Sequence, residues 1–182
     1  MSQRKNAMAT AKAPTRRHAI AGIVAAMGGL AAGSAAWGAG REEAAAAQNT
    51  TPENLLTSLH QEIGVQANAA RIYDALLDSK LFGMFTGMPA QIEREAGGAF
   101  STFGGMISGR NVELVPNERI VQAWRPGSWA QGVYSIVRFE LKAQGSKTVI
   151  VLDHTGFPPG NFSHLDPGWH QRYWDPLIKF LA

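Results

Sequence analysis

The sequence predicts an α+β domain in which a long antiparallel sheet packs against an amphipathic helix at the C-terminus. Residues 133–141 alternate between two faces, which is typical of a strand in a half-buried sheet. Paired glycines break the centre of the chain into short segments, as hairpin connections do. Residues 166–182 carry apolar side chains at helical spacing. A sheet and a helix that each have one apolar face bury those faces on each other.

The first predicted elements are a strand and a helix. Leu59, Ile63 and Val65 occupy odd positions, as in a strand with one buried face. Asn68 can cap the helix that follows, because its side chain can accept from a free backbone N–H. The apolar stripe of that helix is Ala69, Ile72, Tyr73, Leu76 and Leu77. We expect the helix to give way to a shorter, turn-like piece over residues 78–89.

Turn signals divide the region after Pro89 into strands. Gly97-Gly98 and Gly104-Gly105 can adopt positive φ at little cost, and Pro116-Asn117 and Gly145-Ser146 are further turn signals. The alternation in the last two strands directs one set of side chains to a common face: Val133, Ser135, Val137, Phe139 and Leu141, then Thr148, Ile150, Leu152 and His154.

The last predicted element is a helix that begins at Asp166-Pro167, with aspartate as the N-cap and proline at the first helical position. We expect Pro176 to kink this helix, since proline removes one backbone hydrogen bond. The predicted apolar stripe is Trp169, Tyr173, Leu177, Phe180 and Leu181.

The N-terminal 40 residues have the three parts of an export signal. Basic residues come first, Arg16-Arg17 precede an Ala- and Gly-rich apolar stretch, and small residues follow. The arginine pair indicates the twin-arginine route, although His18 and Ala19 replace the bulky apolar pair of that motif. Cleavage near residues 34–36 and cleavage as late as residue 47 both fit, and an uncleaved N-terminal helix is the alternative.

Composition limits the function of the remaining chain. The sequence has 17 basic and 14 acidic residues, but five of the basic ones lie in the first 40 positions, which leaves 12 against 14. This balance gives no electrostatic basis for nucleic-acid binding. Without cysteine there is no disulfide, thiolate nucleophile or cysteine metal site. We expect a flexible linker over residues 41–56 and one domain over residues 57–182.

A set of motifs is spread over that domain. The central motifs are Gly97-Gly98, Gly104-Gly105, Gly109, Glu113-Leu114-Val115-Pro116, Ile120-Val121 and Trp124. They are followed by a strand over Thr148–His154 and by the Gly168-Trp169 pair. Together these motifs resemble the pattern of the family named for the activator of the heat-shock-protein-90 ATPase, in the START-like (SRPBCC) superfamily.

The resemblance implies a helix-grip fold, in which a curved antiparallel sheet wraps around the C-terminal helix and often encloses an apolar cavity. From this we expect a non-catalytic domain that binds a small hydrophobic ligand, with no cofactor. The export signal implies membrane contact only during export. The candidate cavity residues are Phe103, Trp124, Val137, Phe139, Ile150, Leu152, His154, Trp169 and Tyr173. Trp129, in a loop over residues 126–132, is expected to be mobile.

Two other functions remain open. The resemblance to a co-chaperone suggests a protein-interaction module with an exposed apolar surface. A cyclase-like or hydrolase-like enzyme would use His154 with Tyr134 or Asp153 as its acid–base partner, although strand parity separates Asp153 from His154. A plain core histidine is the simpler interpretation of His154.

Several residues of the C-terminal part have the side chains that bind zinc, imidazoles and carboxylates. The residues in question are Asp153, His154, His164, Asp166 and His170, and their spacing matches no metal motif. We therefore predict no metal.

The export signal predicts that the producing cell removes the N-terminal segment. N-terminal sequencing of the protein from that cell should find a start between about residue 34 and residue 48. Changing Arg16-Arg17 to Lys-Lys should slow this processing if the twin-arginine route is used. A mature protein that begins at Met1 or Ser2 would contradict the prediction.

Overall fold

A computed structural model describes residues 52–182, and the predicted signal lies outside the described residues. The strands are β1 (Ser58–Val65), β2 (Gln91–Ile92), β3 (Ala99–Thr102), β4 (Ile107–Val115), β5 (Arg119–Pro126), β6 (Ser135–Gln144) and β7 (Lys147–Thr155). The helices are α1 (Ala69–Leu77), α2 (Ser79–Thr86), α3 (Phe162–Trp169) and α4 (Asp175–Leu181), with a π-helical turn over His170–Trp174. Short 3-10 turns cover Pro52–Leu55 and Phe103–Gly105.

The seven strands form one curved antiparallel sheet in the order β1-β7-β6-β5-β4-β3-β2. The last two long strands therefore lie between the first strand and the central hairpins. The turns at Gly97-Gly98, Gly104-Gly105, Pro116-Asn117 and Gly145-Ser146 fall between strands, as predicted. One irregularity, between Asn111 and Glu113 in β4, leaves Val112 exposed.

The sheet and the C-terminal helix bury their apolar faces on each other, which confirms the predicted α+β helix-grip fold. The parity predicted for β6 and β7 also holds. Within residues 52–182 no helix has the length and apolar character needed to cross a membrane. The inward-facing residues of β6 and β7 are Ser135, Val137, Phe139, Leu141, Thr148, Ile150, Leu152 and His154, all of them buried.

The first helix forms as predicted, and the Asn68 side chain caps it by accepting from Arg71 N at 2.9 Å. The turn-like piece expected after it is a second helix, α2. Asp78 separates the two, because its extended backbone ends α1 while its carboxylate accepts from the N–H groups of Lys80 and Leu81. Gly87, at φ 71°, ends α2.

The C-terminal helix begins earlier than predicted, at Phe162 instead of Asp166-Pro167. Asp166 is not its N-cap, so that prediction is wrong. The Asp166 carboxylate instead accepts from Gln61 Nε2 on β1 at 2.7 Å, and Pro167 lies inside α3. A tertiary hydrogen bond thus takes the side chain that the local sequence offers as a cap.

The helix accommodates Pro176 by widening into a π-helical turn. The π-helical turn lies immediately before it, where a proline ring would otherwise crowd the carbonyl of Arg172. The residues on both sides of this turn keep right-handed helical dihedral angles. The expected kink is therefore replaced by a widened turn in a helical segment that runs from Phe162 to Leu181.

Two buried indole hydrogen bonds attach this segment to the sheet. Trp169 Nε1 donates to His154 Nδ1 of β7 at 3.2 Å. Trp174 Nε1 donates to Gln61 Oε1 of β1 at 2.6 Å. Gln61 Nε2 donates in turn to the Asp166 carboxylate. A buried indole N–H costs stability unless it is paired, so these bonds select one register of the helix on the sheet.

The last part of the predicted linker falls within the described residues. Pro52–Leu55 forms a 3-10 turn, and the Asn54 carbonyl accepts from Gly160 N at 2.8 Å. Thr57 O accepts from Gly156 N at the same distance.

His154 is a completely buried and uncharged member of the core. Because Nδ1 accepts from Trp169, the proton of the neutral ring is on Nε2, which donates to Ser135 Oγ at 2.7 Å. The Ser135 hydroxyl donates in turn to the Trp124 carbonyl at 3.2 Å. Burial lowers the pKa of His154 from 6.5 to about 3. The simpler interpretation, a core histidine, is the arrangement seen, with a serine and an indole as its partners.

Gly109 in β4 allows a close approach of side chain and backbone. A Cβ at this position would overlap the Ala123 carbonyl oxygen of β5 and lie 2.5 Å from Phe100 Cζ. The Phe100 ring therefore covers the strand where a side chain would stand.

Replacing Gly109 with alanine should lower the free energy of unfolding by about 1–3 kcal/mol, because the methyl group overpacks the site. Gly64 in β1 is a matched control, since a Cβ there meets nothing within 4 Å. Urea unfolding of both alanine variants tests this, and equal stability of the two would contradict the packing described for Gly109.

The buried, neutral His154 should make stability depend on pH. Between pH 6.5 and about 3 the unfolded chain binds a proton that the folded protein excludes, so stability falls as the pH falls. The loss should reach about 1.4 kcal/mol per pH unit and should be absent above pH 6.5. Urea unfolding at pH 7.0, 5.5 and 4.5 measures it.

His154→Gln should flatten this dependence, and His170→Gln, which changes an exposed histidine, should not. NMR of the His154 ring gives an independent check, since Nδ1 should stay unprotonated at pH 5. Identical pH profiles for the wild type and His154→Gln would refute the assignment.

Candidate functional site

A cavity of about 390 Å³ lies between the first half of the C-terminal helical segment and the neighbouring end of the sheet. It is open on one side, and apolar side chains form most of its wall. Its lining residues are Phe103, Met106, Ile107, Trp124, Pro126, Gly127, Ser128, Trp129, Asn161, His164, Leu165, Gly168, Trp169, Arg172 and Tyr173.

One helical face supplies a whole side of the cavity. His164, Gly168 and Arg172 follow one another at intervals of four residues, with Leu165, Trp169 and Tyr173 beside them. Gly168 leaves space in the middle of this face, because a Cβ there would meet nothing within 4 Å. The early start of α3 at Phe162 is what brings His164 and Leu165 into the wall.

Aromatic rings form the base of the cavity. Trp124 of β5 stacks on Trp169 with 5.7 Å between ring centroids, and Phe103 meets Tyr173 edge-on at 5.2 Å. Phe103 has φ 53°, a left-handed conformation that costs a non-glycine residue about 1 kcal/mol. The Gly104 N–H holds the turn by donating to the Pro89 carbonyl at 2.8 Å.

The loop over residues 126–132 closes one side. Trp129 is only 8% exposed, and its indole donates to Asn161 Oδ1 at 2.9 Å. The Arg125 guanidinium donates to the carbonyls of Trp129 and Ala130 at 3.0 and 3.3 Å. In contrast to the expected mobile tryptophan, Trp129 is therefore a hydrogen-bonded part of the wall.

The polar groups of the cavity are few and carry no negative charge. None of the lining residues is acidic. Burial raises the pKa of the Tyr173 phenol, against the opposing effect of the Trp124 indole and the Thr102 hydroxyl, so the phenol is neutral at every physiological pH. His164 and Arg172 are exposed at the opening of the cavity.

Four of the nine predicted cavity residues line this cavity: Phe103, Trp124, Trp169 and Tyr173. The other five, Val137, Phe139, Ile150, Leu152 and His154, face the same side of the sheet but are buried in the packed core. Their role in ligand binding stays a prediction. Most other lining residues were missed as ligand contacts, among them Met106, Ile107, Leu165, Gly168 and Arg172. The helical spacing Leu165–Gly168–Trp169–Arg172 is the sequence signal that indicates the missed helical residues.

The acid–base pairs considered for an enzyme are not brought together. Tyr134 is half exposed. The Asp153 carboxylate accepts from His60 Nδ1 at 2.7 Å on the outer face of the sheet, away from His154. Across residues 52–182, no three histidine or acidic side chains gather as a metal site would require. Asp166, one of the residues considered, is bonded to Gln61.

Comparison with known proteins identifies relatives of the whole folded part. The family described as "Activator of Hsp90 ATPase homolog 1-like protein" matches residues 66–182. An activator of 90 kDa heat shock protein ATPase homolog from Dictyostelium discoideum is 32% identical over 132 residues, which are 71% of this chain and 34% of that protein. The human activator homolog 1 is 31% identical over 108 residues, 59% of this chain and 32% of its own length.

A solved structure shares the fold. The crystal structure of an HSP90 activator from Plasmodium falciparum aligns with a TM-score of 0.66 at 23% identity, covering 69% of this chain and 96% of the other. This chain spans about a third of the length of the curated relatives it matches. On the family match over residues 66–182, this chain belongs to the activator of Hsp90 ATPase homolog 1-like family.

Proposed function

We propose that this protein binds a small hydrophobic molecule in the cavity between the sheet and the C-terminal helix. The observation that carries the proposal is an apolar space of about 390 Å³ that the aromatic core leaves unfilled. Pockets for small molecules in proteins are typically about 300–1,000 Å³, apolar, and furnished with a few polar groups. This cavity has that size and that composition.

The construction of the wall favours binding over incidental loose packing. Gly168 keeps the centre of the helical face empty, while Trp129, Asn161 and Arg125 form a connected set of hydrogen bonds around the opening. A preformed cavity spares the ligand the cost of ordering its site. An apolar ligand would also gain packing contacts with the Trp124 and Trp169 rings at the base of the cavity.

The chemistry of the wall supports binding rather than a reaction. Acid–base catalysis needs titratable groups that converge on one substrate atom. His164 and Arg172 lie at the opening, and His154 is in the core without access to the cavity. We therefore assign binding and no reaction.

We further propose that the domain acts outside the cytoplasm, on the strength of the arginine pair and apolar stretch in the first 40 residues. The ligand would then be a molecule met in the periplasm or the medium. This part of the proposal depends on sequence alone and is tested by the processing experiment described above.

Protein interaction is a second candidate, favoured by a different surface. Tyr134 and Ile136, on the outer face of the sheet, are 50% and 42% exposed. The relatives are described as activators of an Hsp90 ATPase, which is a protein partner. A partner would contact this face without using the cavity, so the two functions respond to different substitutions.

Binding can be tested with N-phenyl-1-naphthylamine, a neutral apolar fluorophore. It should bind the wild type with a rise in fluorescence and an increase in melting temperature. Gly168→Leu should fill the cavity and weaken binding at least about tenfold. The free energy of unfolding of this variant should stay the same or rise by up to about 1 kcal/mol, because leucine favours the helix.

Ser163→Leu is the matched control, since this exposed residue of α3 does not line the cavity. It should bind the fluorophore like the wild type. Absence of binding to the wild type would contradict the proposal, and equal binding to Gly168→Leu would place the fluorophore elsewhere. In that second case Ile136→Ser, on the outer face, should reduce the signal.

A further inference from the structure

We propose that the ligand of this cavity carries a carboxylate, or an anion of similar shape, next to its apolar body, and that Arg172 binds it. This inference rests on the proposed function and specifies its ligand. It follows from the charges around the opening, from the hydrogen bonds already made there, and from the spacing along the helix.

The charge at the opening is positive and uncompensated. No acidic side chain lines the cavity. Within residues 52–182 the Arg172 side chain makes no ion pair and no hydrogen bond. Other arginines in the same part of the chain are committed to partners: Arg94 to Asp74, Arg119 to Glu113 and Glu140, Arg138 to Glu140, Arg110 to the Gly97 carbonyl and Arg125 to the 126–132 loop.

Arg71 also lacks such a partner, but it is an exposed residue of α1 and does not line this cavity. What distinguishes Arg172 is therefore the combination of a free guanidinium and a place beside an apolar space. The planar guanidinium matches a carboxylate through two parallel hydrogen bonds, which a neutral ligand cannot supply.

The remaining polar groups of the wall leave this role to Arg172. Asn161 has no free donor for an anion, because its amide donates to the carbonyls of Pro158 and Pro159 while its oxygen accepts from Trp129. The Tyr173 phenol is buried and neutral. Ser128 and His164 are exposed and available, but neither carries the permanent charge of a guanidinium.

The helix sets the shape of the ligand. Arg172 lies eight residues after His164 on the helical segment, and Gly168 leaves the space between them open. A flat apolar body fits over Gly168 against Trp124 and Trp169, with the anionic group at the Arg172 end. The ligand class is thus an aromatic or short aliphatic carboxylic acid.

Two isosteric compounds test the charge directly: 1-naphthylacetate and its neutral counterpart 1-naphthylacetamide, each used to displace N-phenyl-1-naphthylamine. The acetate should bind the wild type about five- to tenfold more tightly than the acetamide. Because Arg172 is exposed, the difference should shrink between 50 and 500 mM NaCl.

Arg172→Met keeps the apolar stem and removes the charge. It should abolish the preference for the acetate while leaving the affinity for the acetamide within about twofold of the wild type. Lys179→Met, in α4, is the control, since this exposed cation does not line the cavity and should preserve the preference.

The outcomes separate this inference from the proposed function. If both compounds displace the fluorophore equally from the wild type, the cavity binds apolar molecules and the role of Arg172 is refuted. A preference that survives in Arg172→Met also refutes it. If neither compound nor the fluorophore binds the wild type, the proposed function fails together with this inference.

Discussion

The buried indole of Trp169 joins the C-terminal helix to the sheet, and the rest of the domain depends on this contact. Its N–H donates to His154, while its ring stacks with Trp124 on one side and Trp174 on the other, at 5.7 and 5.6 Å. His154 can accept this bond only as a neutral ring, since a protonated Nδ1 would face the indole donor with a second donor. Burial keeps the ring neutral, so helix position and histidine charge support each other.

The second indole bond, from Trp174 to Gln61, attaches the helix to the edge strand β1. Together the two bonds fix the helix on two adjacent strands, the edge strand β1 and its neighbour β7. Its C-terminal half, including Leu177 and Leu181, is packed into the core. Its N-terminal half bonds to β1 through Asp166 and to β7 through Trp169, while the face that carries Gly168 lines the cavity. The space stays open there because Gly168 has no side chain to fill it.

Membership of the activator of Hsp90 ATPase homolog 1-like family describes the fold and the ancestry of the domain. The curated relatives extend well beyond the shared region, which is about a third of their length. The cavity and the outer side of the sheet at Ile136 are the sites of the two functions proposed above. They lie on opposite faces of the sheet, and a small ligand and a protein would not compete for them.

By itself, the sequence determined the strand parity, the turns and the first helix, because alternation, glycine pairs and Asn68 act through near neighbours in the chain. It also determined that Trp169, on the helix, and His154, on the inner face of the sheet, point toward each other. Only the tertiary structure decided that Asp166 bonds to Gln61 instead of capping a helix, since the competing amide comes from a strand about a hundred residues earlier.

Likewise, parity directs Val137 and Ile150 inward, but whether the space beyond an inward residue is filled depends on the size of side chains from distant segments. That is why the sequence placed four of nine candidates on the cavity wall and could not separate them from the five in the core.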